Sequence, residues 1–165
     1  MTVLRKPLRL LTREEYEEWL KEMAPDYCAF CDWRENQIVL KEGRGWLWIA
    51  NCAPYWRYHT MFITKRHVKE LSELSITEMG ELIEFYAYAI ERFRKAKLSR
   101  PDGTEIKKYV FFWRLRDDLF DPISGNKRPD HFHIHLAPDK DHLWDPVIDK
   151  DASKVDIVRL LGEKK

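Results

Sequence analysis

Polar and apolar residues alternate along Asp130-His131-Phe132-His133-Ile134-His135-Leu136-Ala137-Pro138, and a period of two predicts a strand. Phe132, Ile134 and Leu136 then share a buried face, and three imidazoles line the opposite one. Residues two apart on a strand lie roughly 6.5–7 Å apart on one side, so one imidazole of the row can hold a metal, the next meet a substrate and the third support it. Elsewhere the pattern predicts the remaining elements. Thr12-Arg13-Glu14-Glu15 is a capping-box pattern, and Tyr16, Trp19, Leu20 and Met23 recur at helical spacing, which predicts an N-terminal helix over about 13–23, stopped by Pro25. Gln37-Ile38-Val39-Leu40-Lys41 and Trp46-Leu47-Trp48-Ile49-Ala50 read as strands joined by a hairpin turn at Glu42-Gly43-Arg44-Gly45.

Asn51-Cys52-Ala53-Pro54 breaks the pattern into a loop. Alternation resumes over Tyr58-His59-Thr60-Met61-Phe62-Ile63 and ends at Lys65-Arg66-His67. Val68-Lys69-Glu70-Leu71 reads as a short helical turn. From Ser75 or Thr77 to about Lys97, Met79, Leu82, Ile83, Phe85, Tyr86, Ala89, Ile90 and Phe93 recur as one face of a long amphipathic helix. Lys108 to Leu115 reads as another strand. A polar, basic loop from Asp121-Pro122 to Pro129 then feeds the histidine strand, and a short helix is expected near 152–161.

Composition narrows the function classes. A chain of 165 residues is expected to form a single domain, and 7 Trp, 7 Tyr and 8 Phe supply the area for one core. A net charge of +1 with 35% charged residues argues against nucleic acid or an acidic membrane as partner. Arg92, Arg94, Lys95 and Lys97 suit the end of a helix dipole better than a nucleic-acid patch. No apolar run reaches the roughly 18 residues of a membrane span, and Met1 to Lys6 lack the apolar region of a signal peptide, so a cytoplasmic protein is expected. In such a compartment the CxxC of Cys28 and Cys31 points to a metal half-site or a redox pair. Cys52 reads as a small buried or loop residue. A closed tetrahedral zinc site needs two ligands beyond Cys28 and Cys31.

The motifs resemble the histidine triad superfamily, whose signature His-φ-His-φ-His-φ-φ (φ apolar) is matched from His131 to Ala137. Asn51, Pro54 and His59 keep the family's spacing, and Thr64-Lys65-Arg66-His67 stands where its Pro-Lys-x-His turn does, with Thr64 replacing the proline. Cys28 and Cys31 correspond to the CxxC of the family's zinc-containing branch and of the related galactose-1-phosphate uridylyltransferases. The resemblance covers about residues 27–138 and leaves the N-terminal helix and a tail over about 139–165 outside it.

The resemblance implies an α+β fold, an antiparallel sheet of about five strands with one long helix packed on it, paired as a homodimer through that helix and the adjacent strand. It implies a nucleotide-binding hydrolase or transferase. His133 would attack the α-phosphate of a nucleotide conjugate to give a covalent nucleotidyl-histidine, while His135 and His59 reach the phosphate oxygens. Asn51 would bind ribose. His67 and His131 would complete a structural zinc site with Cys28 and Cys31. Where family members commonly carry Ser or Gln ahead of the triad, this chain has Lys127 and Arg128, two cations suited to a highly charged substrate. The rival readings are transfer to phosphate or a sugar phosphate, a zinc hydroxide held by His131, His133 and His59, and a nucleotide-binding module without turnover.

Overall fold

The computed structural model describes residues 14–15, 18, 21–22, 27–32, 37–51, 54, 58–99, 102–113, 130–138 and 157. Its strands are β1 (Val39–Glu42), β2 (Trp46–Ala50), β3 (Thr60–Thr64), β4 (Tyr109–Phe112) and β5 (His133–Pro138), with one long helix, α1 (Ile76–Ala96), between β3 and β4. They form a 5-stranded sheet in the order β1-β2-β3-β5-β4, antiparallel at every step. The α+β architecture expected from the sequence is therefore present.

Side-chain alternation distributes the core over both faces of the sheet. Trp46, Trp48, Phe62, Ile134 and Leu136 point toward α1 and pack with Leu82, Phe85, Ala89 and Phe93. Burying Phe62 and Phe93, both wholly inaccessible, contributes roughly 1.5–3 kcal/mol each. Leu47, Ile49, Met61 and Ile63 face the other way and pack with Cys28 and Phe30. With both faces covered, β2 and β3 are buried along their whole length, which explains the unbroken apolar run at Trp46 to Ala50.

Capping fixes the helix. Ser75 and Glu78 form a reciprocal capping box, and Lys97 closes the other end in a left-handed conformation, φ 48°. Glu78 near the start and Arg94 and Lys95 near the end complement the dipole. The helix also receives the β1–β2 hairpin, because Glu81 accepts hydrogen bonds from the backbone of Arg44 (2.6 Å) and Gly45 (2.8 Å). Gly43 must be glycine here. A Cβ at that position would lie 2.7 Å from the Phe85 ring.

Several expectations shift in detail. β5 begins at His133 instead of His131, since the Phe132 amide donates to the Val68 carbonyl (2.6 Å) and not to β3. The helical turn expected at Val68–Leu71 is a 3-10 turn over Leu71–Glu73. Ile83 and Tyr86, counted on the apolar face of α1, are exposed. Ile83 follows the buried Leu82 by one position and so is turned about 100° away from it, while Tyr86 borders the covered face and meets Phe111 of β4 at 4.9 Å. Of the N-terminal helix, Glu14, Glu15, Glu18 and Lys21 are described and helical; near the C-terminus Ile157 is helical and buried. Cys52 lies outside the described residues.

Candidate functional site

Two centres meet at the start of β5. The first is built on the CxxC turn, where the amides of Cys31 and Asp32 donate to the Cys28 carbonyl (3.1 and 2.8 Å) and the Asp32 carboxylate accepts from the Cys28 amide (2.6 Å). This closed turn brings two free thiols to one side. His67, at the end of the turn after β3, and His131, ahead of β5, arrive from opposite ends of neighbouring strands. The ligand atoms of Cys28, Cys31, His67 and His131 all lie within 4.8 Å of one another. Cys28 Sγ is 3.5 Å from His131 Nδ1, and Cys31 Sγ is 3.4 Å from both His131 Nδ1 and His67 Nδ1.

Those separations fit a tetrahedral ion. Zinc–sulfur bonds of about 2.3 Å and zinc–nitrogen bonds of about 2.0–2.1 Å, at tetrahedral angles, set sulfur and nitrogen roughly 3.6 Å apart. The four residues are thus a Cys2His2 cluster able to hold a metal. On its far side His131 Nε2 lies 2.8 Å from the Thr64 carbonyl oxygen and 2.8 Å from Thr64 Oγ1. His67 Nε2 lies 3.6 Å from the Asp130 carboxylate, which also meets Lys69 at 3.4 Å.

The second centre continues along β5. The register pairs His133 with Ile63 and His135 with Met61, so both imidazoles project from the face opposite α1. His133 Nδ1 lies 2.7 Å from the His131 carbonyl oxygen. A carbonyl can only accept, so Nδ1 carries the proton and Nε2 the lone pair. His135 is buried, stacked on Phe112 of β4 at 4.8 Å and 17°, and its Nδ1 is 2.9 Å from His59 Nε2. His59 is wholly buried just before β3, next to Tyr58, whose backbone is left-handed at φ 60°. Asn51 Nδ2 lies 3.2 Å from His59 Nδ1, and the Asn51 amide donates to the His59 carbonyl (3.0 Å).

Phe30 ties the two centres together, its ring centroid 5.6 Å from that of His131 and 5.2 Å from that of His133. Of the residues singled out in the sequence, Cys28, Cys31, His67 and His131 converge as one group, and Asn51, His59, His133 and His135 as the other. Lys127 and Arg128 fall outside the described residues. Thr64, Asp130, Phe30 and Phe112 were not given roles from sequence. Thr64 alone left a signal, as the residue that departs from the family's turn.

A sheet in this order, with histidines of β5 beside a Cys2His2 cluster, is the fold of the histidine triad proteins. A zinc-bound histidine triad family protein from Mycobacterium smegmatis superposes with a TM-score of 0.53 at 20% identity, over 81% of this chain and 92% of that one. A uridylyltransferase mutant superposes with a TM-score of 0.58 at 16% identity, over 88% of this chain and 50% of that one. In sequence, AP-4-A phosphorylase from two strains of Mycobacterium tuberculosis is 27% identical over 104 residues, 63% of this chain. The chain spans about half the length of these curated relatives, 47%. No family model matches the chain. Among the described residues no helix is long and apolar enough to cross a membrane.

Proposed function

We propose that this chain is a histidine triad enzyme that acts on the α-phosphate of a nucleotide conjugate through a covalent nucleotidyl-His133. The observation that carries the reading is the 2.7 Å approach of His133 Nδ1 to the His131 carbonyl. It fixes the neutral tautomer whose Nε2 lone pair can attack phosphorus, and a neutral imidazole is a competent nucleophile near pH 7. Attack forms the P–N bond as the bond to the leaving group breaks; His135, coupled to His59 at 2.9 Å, donates to the phosphate or leaving-group oxygen. Water or a second acceptor then breaks the P–N bond and returns the electron pair to Nε2. Asn51, Lys127 and Arg128 are assigned to substrate.

Cys28, Cys31, His67 and His131 hold zinc in this reading. Four protein ligands leave no open position, so the ion would be structural, pinning the N-terminal loop to the start of β5. A zinc hydroxide held by His131, His133 and His59 is disfavoured, because both ring nitrogens of His131 are already directed, one at two thiols and the other at Thr64. Transfer to phosphate in place of water is the second reading, favoured by the relatives named as phosphorylases and by the uridylyltransferase likeness. A homodimer paired through α1 and β4 accords with exposed Ile83 and Tyr86, the latter 4.9 Å from Phe111 of β4. A cytoplasmic setting belongs to the same reading.

The test is incubation with a nucleotide conjugate labelled at the α-phosphate, followed by a rapid quench and peptide mapping. Acid-labile label on His133 is expected, discharged faster by phosphate if the second reading holds. Turnover without label on His133 rejects the covalent route.

A further inference from the structure

We infer that Thr64 is a positioning residue of the metal centre, fixing through its carbonyl the tautomer, and through its hydroxyl the ring plane, in which His131 ligates. The inference rests on the reading that Cys28, Cys31, His67 and His131 hold zinc. The Thr64 carbonyl oxygen, 2.8 Å from His131 Nε2, accepts and cannot donate, so Nε2 must carry its proton. The Thr64 hydroxyl donates to the Arg66 carbonyl at 2.7 Å. Its oxygen is thereby left to accept as well, 2.8 Å from the same Nε2. One N–H thus meets two oxygens of a single residue.

The consequence lies on the other side of the ring. With Nε2 protonated, Nδ1 holds the lone pair, and Nδ1 is the atom 3.5 and 3.4 Å from the two sulfurs. Two acceptors for one N–H also restrain rotation of the ring more than a single carbonyl does. Thr64 and His131 are both buried, so loss of the hydroxyl cannot be made good by bulk water. Partners of this kind typically change metal affinity by about 10–100-fold when removed. A proline at this position, as in the family turn, keeps the carbonyl and lacks the hydroxyl. Asp130 stands farther from His67, at 3.6 Å, and is shared with Lys69.

The experiment compares the native 165-residue chain with Thr64→Val and Thr64→Ser, with Thr60→Val as control. Thr60 is a second buried β3 threonine, its hydroxyl donating to the Leu136 carbonyl at 2.9 Å, away from the cluster. Zinc affinity is read by competition with a chromophoric chelator, and ligand geometry by the thiolate and ligand-field bands of the cobalt-substituted proteins. Thr64→Val should weaken zinc roughly tenfold or more and alter the cobalt bands. Thr64→Ser and Thr60→Val should stay near native. Native-like affinity and bands in Thr64→Val overturn the inference, as does equal weakening in Thr60→Val. Should Thr64→Val not fold, Thr64→Ala, which also lacks the hydroxyl, is read in its place: weakened zinc and altered bands uphold the inference, and native affinity and bands overturn it. A native chain that binds no zinc refutes the metal reading itself, a separate failure.

Discussion

His133 is tied to the backbone of His131, its Nδ1 donating to the His131 carbonyl oxygen across 2.7 Å. The ring of residue 131 meets the thiols of Cys28 and Cys31 at 3.5 and 3.4 Å. One residue therefore serves two centres, through its main chain in one and its side chain in the other, and the two can be separated by substitution.

If His133 supplies the attacking lone pair, as proposed, His133→Ala should lower turnover by about three orders of magnitude or more. Nucleotide affinity should change less than about threefold, and bound metal should stay at the native level, since the His131 carbonyl and ring are untouched. Equilibrium binding, steady-state kinetics and elemental analysis measure the three. Loss of metal in this variant would contradict the division of labour between His131 and His133.

Cys28→Ser should lose the metal and stability together. Cys28 is buried in the smaller core cluster beside Phe30 and Ile63, and a serine hydroxyl is a poor substitute for a thiolate ligand. A loss of about 2 kcal/mol corresponds to roughly 4–8 °C in Tm for a chain of this size. Calorimetry with metal analysis checks the outcome, and full retention of zinc would remove Cys28 from the ligand set.

Phe30→Ala removes the ring that packs 5.6 Å from His131 and 5.2 Å from His133. Truncation of a buried phenylalanine costs about 3 kcal/mol or more, to be read from urea unfolding. Activity should fall roughly tenfold beyond any loss of folded protein, as both imidazoles gain freedom. Metal should remain bound.

Glu78 carries the clearest pH dependence. Its hydrogen bond to Arg66, then the Ser75 amide, pull its carboxyl from the ordinary 4.5 to about 2. A depressed carboxylate stabilises the fold above the unfolded value and loses that contribution as pH falls from about 4.5 through about 2. Arg66 is more than half exposed, so solvent screening limits the effect to about 1 kcal/mol. Glu78→Gln preserves the capping geometry and should flatten this segment of the stability curve, measured by urea unfolding between pH 5 and about 2.

How much of this was legible in the sequence depended on how far apart the cooperating residues lie. Local periodicity predicted β5, β2 and α1, because alternation and helical spacing are read within a single element. The CxxC and the histidine row were visible for the same reason. Nothing local could assign Thr64 to His131, 67 residues away, or stack Phe112 on His135, because these contacts depend on strand register. The late start of β5 had no local cause either, since the Phe132 amide is taken by Val68. The exposure of Ile83 shows the reverse case, where helical spacing widened the apolar face of α1 beyond what the sheet covers.

Pairing of β3 with β5 sets Ile134 opposite Phe62 and His133 opposite Ile63. A slip of one residue would exchange the faces, driving the imidazoles into the aromatic layer under α1 and leaving Ile134 and Leu136 uncovered. No well-folded but chemically blank register is therefore within easy reach of this strand. The packing of the sheet and the placement of the imidazole row are thus chosen in one event.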